Sequence, residues 1–137
     1  MAGIPAIAIS LHLGKSALTR WDLATEWATQ VLQTVVSHGV PPTSVLNINL
    51  PITDLGHDHL GIKVVRASVS PMVDRYEPVH EPHEEHARYH AKDHLSFRDR
   101  EPGTDVVALF ERYITVTPLH FDPTIHEQLE SWRERLA

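Results

Sequence analysis

A chain of 137 residues, 42% hydrophobic and 22% charged, has the balance of a single ordinary globular domain and is too short for two sizeable cores. Eighteen acids face 12 bases, for a formal net charge of -6 with the histidines neutral, which argues against a nucleic-acid binder because phosphate backbones select a basic stripe. The absence of cysteine excludes disulfides, thiolate nucleophiles and cysteine-ligated zinc, and it suits a reducing cytoplasm.

Ile4 to Leu11 is a short, almost continuous apolar run, the pattern of a strand covered on both faces. Extended to Leu13 it contains Pro5, is too short for a bilayer and follows no basic residue, so neither a membrane span nor a signal peptide is expected. Ser16 to His38 is expected to form the longest helix. Trp21, Ala24, Trp27 or Ala28, Val31, Leu32, Val35 and Val36 recur there at three- and four-residue spacing and make one apolar stripe. Ser16 or Thr19 is the expected cap, Gly39 suits the left-handed position after the last turn, and Pro41 prevents continuation.

Between Pro41-Pro42 and Pro51, Leu46, Ile48 and Leu50 alternate with Asn47 and Asn49. This is a strand with one aliphatic face and one amide face, and buried amides must find partners. Strand, helix and strand together make a βαβ unit with parallel strands. In the loop that follows, His57, Asp58 and His59 are either a metal site or, as the better reading, a solvated turn. Ile62 to Val69 is the next expected strand, and the polar stretch from Pro71 to Glu101 an arm or long hairpin. Gly103-Thr104-Asp105 reads as a turn or cap before a short helical segment, Val106 to Glu111, and Ile114 to Leu119 as a further strand. A last helix begins either with Asp122 as cap and Pro123 in its first turn, or with a Thr124–Glu127 capping box; Ile125, Leu129, Trp132 and Leu136 form its stripe. The expected fold class is therefore α/β in one domain over 1–137. It comprises a βαβ unit and following strand over 1–70, a polar arm over 71–101, and a strand and C-terminal helix over 102–137.

Few residues suggest chemistry. His80, His83, His86, His90 and His94 are spaced three or four apart among acids, a set able to hold a borderline metal from one helix face. Pro78 and Pro82 interrupt such a helix, no H-E-x-x-H occurs, and all but His83 share parity, so solvent-facing histidines are the expected reading. No serine sits in a G-x-S-x-G elbow, and neither a Walker loop nor G-x-G-x-x-G is present. The chemistry of the chain is not declared by any one motif.

Taken as a set, the segments are more specific. Gly3-Ile-Pro-Ala-Ile-Ala-Ile-Ser10, the Pro-Pro-x-x-x-Leu-Asn-Ile-Asn-Leu-Pro run ending at Pro51, Gly103-Thr-Asp105 and Tyr113-Ile-Thr-Val-Thr-Pro-Leu119 resemble the C-terminal half of the SurE family of metal-dependent nucleotidases. Arg112 stands where that family usually has a glycine, and Glu81-Pro82-His83 with a lone Tyr89 replaces the family's arm pattern. The resemblance implies phosphomonoester hydrolysis of nucleoside monophosphates, with Mg²⁺ or Mn²⁺ activating water. The family's metal ligands come from its N-D-D-G motif and from a serine and an asparagine of later loops, beside an S-G-T loop. Neither N-D-D-G nor S-G-T occurs in this sequence. The resemblance thus implies no catalytic or metal residue here, and a chain inactive alone. Asn47, Asn49, Gly103, Thr104 and Asp105 are its fold-bearing or supporting positions. No cofactor is expected in this chain alone. The expected partners are a complementary N-terminal half or further copies, with nucleotide as substrate and neither nucleic acid nor membrane. The alternative is a non-catalytic oligomerisation or interaction module that pairs with a separate catalytic half.

Overall fold

The alternation after Pro41 and Pro42 does produce a strand, and it is an inner strand of the sheet. The computed structural model describes residues 4–14, 18–42, 44–54, 56–70, 72–79, 88–97, 99–120 and 122–137. Within these the order is β1 (Ala6–Leu11), α1 (Trp21–His38), β2 (Val45–Leu50), β3 (Ile62–Val64), β4 (Met72–Val79), β5 (Arg88–Phe97), α2 (Asp105–Phe110), β6 (Ile114–Leu119) and α3 (His126–Leu136). One four-stranded sheet runs β1-β2-β6-β3, and β4 and β5 form a separate antiparallel pair. β1 and β2 are parallel, β2 and β6 antiparallel, β6 and β3 parallel. This is the α/β class expected, with the βαβ unit at its start and a hairpin as the arm.

Register explains the two faces. Ile9, Ile48, Val116 and Val64 lie side by side across the sheet, as do Ser10, Asn49, Thr115 and Lys63 one residue on. The aliphatic face meets α1, where Ala24, Trp27 and Val31 pack with Ile48, Leu50, Ile114 and Val116 in one buried cluster. Ile48 is 0% exposed and Trp27 2%.

Several boundaries differ from expectation for physical reasons. β1 is not covered on both faces: Ile9 is 37% exposed, and Ala6 and Ala8 are open, because β1 pairs only with β2 among the described strands. α1 begins at Trp21 rather than Ser16, which lies outside the described residues. Thr19 does not cap it. Arg20 holds the cap position without a side-chain capping bond, its guanidinium going to Asp22, and its own N–H donates to the Thr53 hydroxyl at 3.1 Å. β3 stops at Val64, although Arg66 still bridges to Thr104. α3 starts at His126 without either expected cap, since Asp122 spends its oxygens on the Thr124 N–H, at 2.9 Å, and on the His126 ring, at 2.7 Å. Its stripe is not buried here: Ile125, Leu129, Trp132 and Leu136 are all exposed.

The His57–His59 loop is neither metal site nor merely solvated. Asp58 Oδ1 accepts from Trp27 Nε1–H at 3.0 Å and from the His59 N–H at 2.9 Å. The His59 ring stands edge-on to the Trp27 indole at 5.2 Å. Tryptophan thus serves as core residue and as anchor of the loop leading to β3. After α2, Arg112 sits at φ 68°, the left-handed region, with its carbonyl accepting from Leu60 at 2.9 Å. That is a glycine conformation held by an arginine, at a cost of about 1–2 kcal/mol.

Two outcomes follow for denaturant melting. Trp27→Ala should lose about 3–5 kcal/mol, and Trp27→Phe, which keeps an aromatic ring in the core but removes the bond to Asp58 and part of the indole's volume, about 1–3 kcal/mol. Arg112→Gly should stabilise the fold by up to about 1 kcal/mol despite the greater backbone freedom of glycine.

Candidate functional site

The second face of the sheet carries the polar side chains. Ser10 lies in register with Asn49, and its hydroxyl donates to Asn49 Oδ1 at 2.6 Å, which directs the Nδ2–H donors of that amide elsewhere. Asn47 lies in register with Ala8 and Thr117. Thr115 and Thr117, 0% and 2% exposed, keep buried hydroxyls that have no hydrogen-bond partner among the described residues.

α2 stands on this face because its first turn is tied down from two sides. Gly103, at φ 85°, turns the chain into it. Thr104 caps it: its hydroxyl donates to the Glu101 carbonyl at 3.0 Å and accepts from the Val107 N–H at 3.4 Å. Asp105 Oδ1 accepts from the Ser68 N–H at 2.7 Å and the Val106 N–H at 2.9 Å, pinning the segment after β3 to the helix start. Below the turn, the buried Asp99 accepts from the Glu101 N–H at 2.8 Å. Hydrogen bonding, first from the Ser68 hydroxyl and also from that N–H, holds its carboxyl well below the usual range.

Between α2 and the ends of β1 and β2 lies a cavity of about 520 Å³. Ser10, Asn47 and Asn49 line it from the sheet, Asp105, Leu109 and Phe110 from α2, and His12 from the residue after β1. Ligands of open α/β sheets gather at the carboxyl ends of parallel strands, where His12 and Asn49 stand. The His12 N–H donates to Leu50 at 2.9 Å, and its ring meets Phe110 edge to face at 5.4 Å. Burial lowers the His12 pKa below its ordinary 6.5, opposed in part by the charge of Asp54. Gly14 leaves no room for a β-carbon against Ile52 and Asp54, which lets the chain after His12 close over them.

Of the positions singled out in the sequence, Asn47, Asn49 and Asp105 therefore meet at one cavity, while Gly103 and Thr104 shape the turn and cap beside it. Ser10, His12, Leu109 and Phe110 are additions. Ser10 comes to Asn49 only through the β1–β2 register, and Leu109 and Phe110 only through the placing of α2, neither of which a sequence prints. His90 is exposed on β5 opposite Glu77, and His94 also lies in β5. His80, His83 and His86 lie outside the described residues. Among the described residues no three His, Asp or Glu side chains come together as a metal-binding group. The cavity supplies neutral amides, a hydroxyl and the His12 ring, and Asp105, its one carboxylate, already commits an oxygen to two N–H groups. That donor set does not fit a divalent ion, which needs several free hard oxygens.

Comparison with known proteins places this architecture. The family model described as Survival protein SurE matches residues 1–74, more than half of the chain. The chain belongs to the SurE family. The 5'-nucleotidase SurE of Syntrophobacter fumaroxidans is 35% identical over 130 residues, covering 94% of this chain and 50% of that protein. The 5'/3'-nucleotidase SurE of Klebsiella pneumoniae is 33% identical over 139 residues, covering 98% and 52%. The crystal structure of the SurE protein from Aquifex aeolicus matches with a TM-score of 0.72 at 27% identity, covering 98% of this chain and 53% of that one. The chain spans about half the length of the curated relatives it matches. No helix among the described residues of this SurE chain is long and apolar enough to cross a membrane.

Because burial lowers the His12 pKa, the folded state takes up its proton less readily than the unfolded chain. Its contribution to stability is full above pH 6.5 and is lost as pH falls through its lowered folded value. Nuclear magnetic resonance titration should give His12 a midpoint below 6.5, and His12→Gln should flatten this part of the acid limb of stability against pH.

Proposed function

We propose that this chain acts as the C-terminal portion of a SurE-type phosphomonoesterase for nucleoside monophosphates, working with a complementary half that holds the divalent metal. The observation that carries the reading is the cavity at the carboxyl ends of β1 and β2, a recessed and largely apolar surface edged by Ser10, Asn47, Asn49 and Asp105. Supporting it are the relatives, whose names state nucleotidase activity and of which this chain matches about half. Ser10, Asn47 and Asn49 then form one wall of the substrate site, and Gly103, Thr104 and Asp105 keep α2 seated beside it. Catalytic and metal-binding groups are assigned to the complementary half. We place the protein in a reducing cytoplasm, in keeping with its cysteine-free sequence, and as part of an oligomer, in keeping with the exposed stripe of α3.

The purified chain, given Mn²⁺ or Mg²⁺ and either p-nitrophenyl phosphate or a nucleoside monophosphate, should show no turnover above buffer. Mixing with an N-D-D-G-bearing half should bring turnover that EDTA abolishes. Turnover by the chain alone, lost both on EDTA and on Asp105→Ala, would sink the proposal.

A further inference from the structure

We infer that the cavity between α2 and the β1–β2 face is a subsite for the uncharged nucleobase and sugar of a nucleoside, and that it does not hold the phosphate. This rests on the nucleotidase reading for its ligand class, but the binding it describes belongs to this chain alone and needs no metal.

Size comes first. About 520 Å³ lies within the range of roughly 300–1,000 Å³ usual for small-molecule sites and is ample for a nucleoside. Charge decides between the two ends of a nucleotide. Among the described residues lining the cavity there is no lysine or arginine, and Asp105 brings negative charge. A phosphate dianion placed there meets repulsion and no compensating cation, whereas a neutral ring meets neither. Hydrogen bonding then favours a base. Asn47 and Asn49 present side-chain amides, which pair the donor and acceptor edges of bases in two-point fashion. The Ser10 hydroxyl takes the Asn49 oxygen at 2.6 Å and so fixes which end of that amide is offered as donor. Opposite this polar side stand Leu109 and Phe110, the latter 50% exposed and braced by the His12 ring at 5.4 Å. A half-exposed aromatic ring sharing a cavity with two amides, one of them oriented by Ser10, is the pairing of stacking surface and edge reader that single bases select. The same logic names Phe110 and Asn47 as the residues that set preference among bases.

Asn47 and Asn49 are the only asparagines in the sequence, so their side-chain amide resonances report on this cavity without ambiguity. The metal-free chain would be titrated with adenosine, guanosine, cytidine and ribose 5-phosphate. At least one nucleoside is expected to shift both amides saturably, while ribose 5-phosphate does not. Phe110→Leu should weaken that binding roughly tenfold or more, and Phe110→Tyr should keep it within about threefold, since a ring rather than bulk does the stacking. The thermal melt of each variant confirms that it is folded. No saturable shift up to the nucleoside solubility limit, an equal response to ribose 5-phosphate, or unchanged binding in folded Phe110→Leu would each overturn the inference. Loss of the nucleotidase reading would appear separately, as absent turnover in the two-half mixture while nucleoside binding persists.

Discussion

Everything in this fold leans on the two-residue period of β2. Ile48 must enter the α1 cluster while Asn47 and Asn49 turn the other way, and both conditions hold in only one register against β1 and β6. A slip of one residue would bring two amides under Trp27 and Val31 and turn Ile48 toward the cavity. The same period thus sets the core and the polar surface at once. Core stability and site geometry are two readings of a single alignment of backbone hydrogen bonds.

Much of this was legible beforehand because the determinants are local. Leu46 to Leu50 alternate, Gly39 and Pro41 end a helix, and Ile114 to Leu119 begin and end where their pattern says. The errors cluster where distant residues decide. Ser16 and Thr19 are chemically able caps, but Arg20 at the helix start is held by Thr53, thirty-three residues away. At the last helix, where the sequence offers Asp122 or a Thr124–Glu127 box as the start, the competitor is instead local: the His126 ring, one turn on, takes the Asp122 carboxylate. Asp58 looked like a ligand or a turn residue because nothing in the neighbouring sequence names Trp27 as its donor.

The site follows the same division. Asparagines in a strand announce a polar face, but the cavity also needs Ser10 from β1 and Phe110 from α2, which only topology brings to them. Arg112 shows the reverse case. Its backbone lies in the left-handed region, where glycine, having no β-carbon, is the usual residue. Two backbone hydrogen bonds, from Leu60 to its carbonyl and from its N–H to Leu109, keep the turn in place despite that preference.

β1 has a consequence for handling the protein at all. Ala-Ile-Ala-Ile-Ser-Leu carries no charge and no proline, and among the described strands its outer edge pairs with nothing. Such an edge is a template for main-chain addition by any extended segment that meets it. Yield and solubility would then depend on how long this edge stays open after synthesis, a kinetic matter that an equilibrium melt does not report.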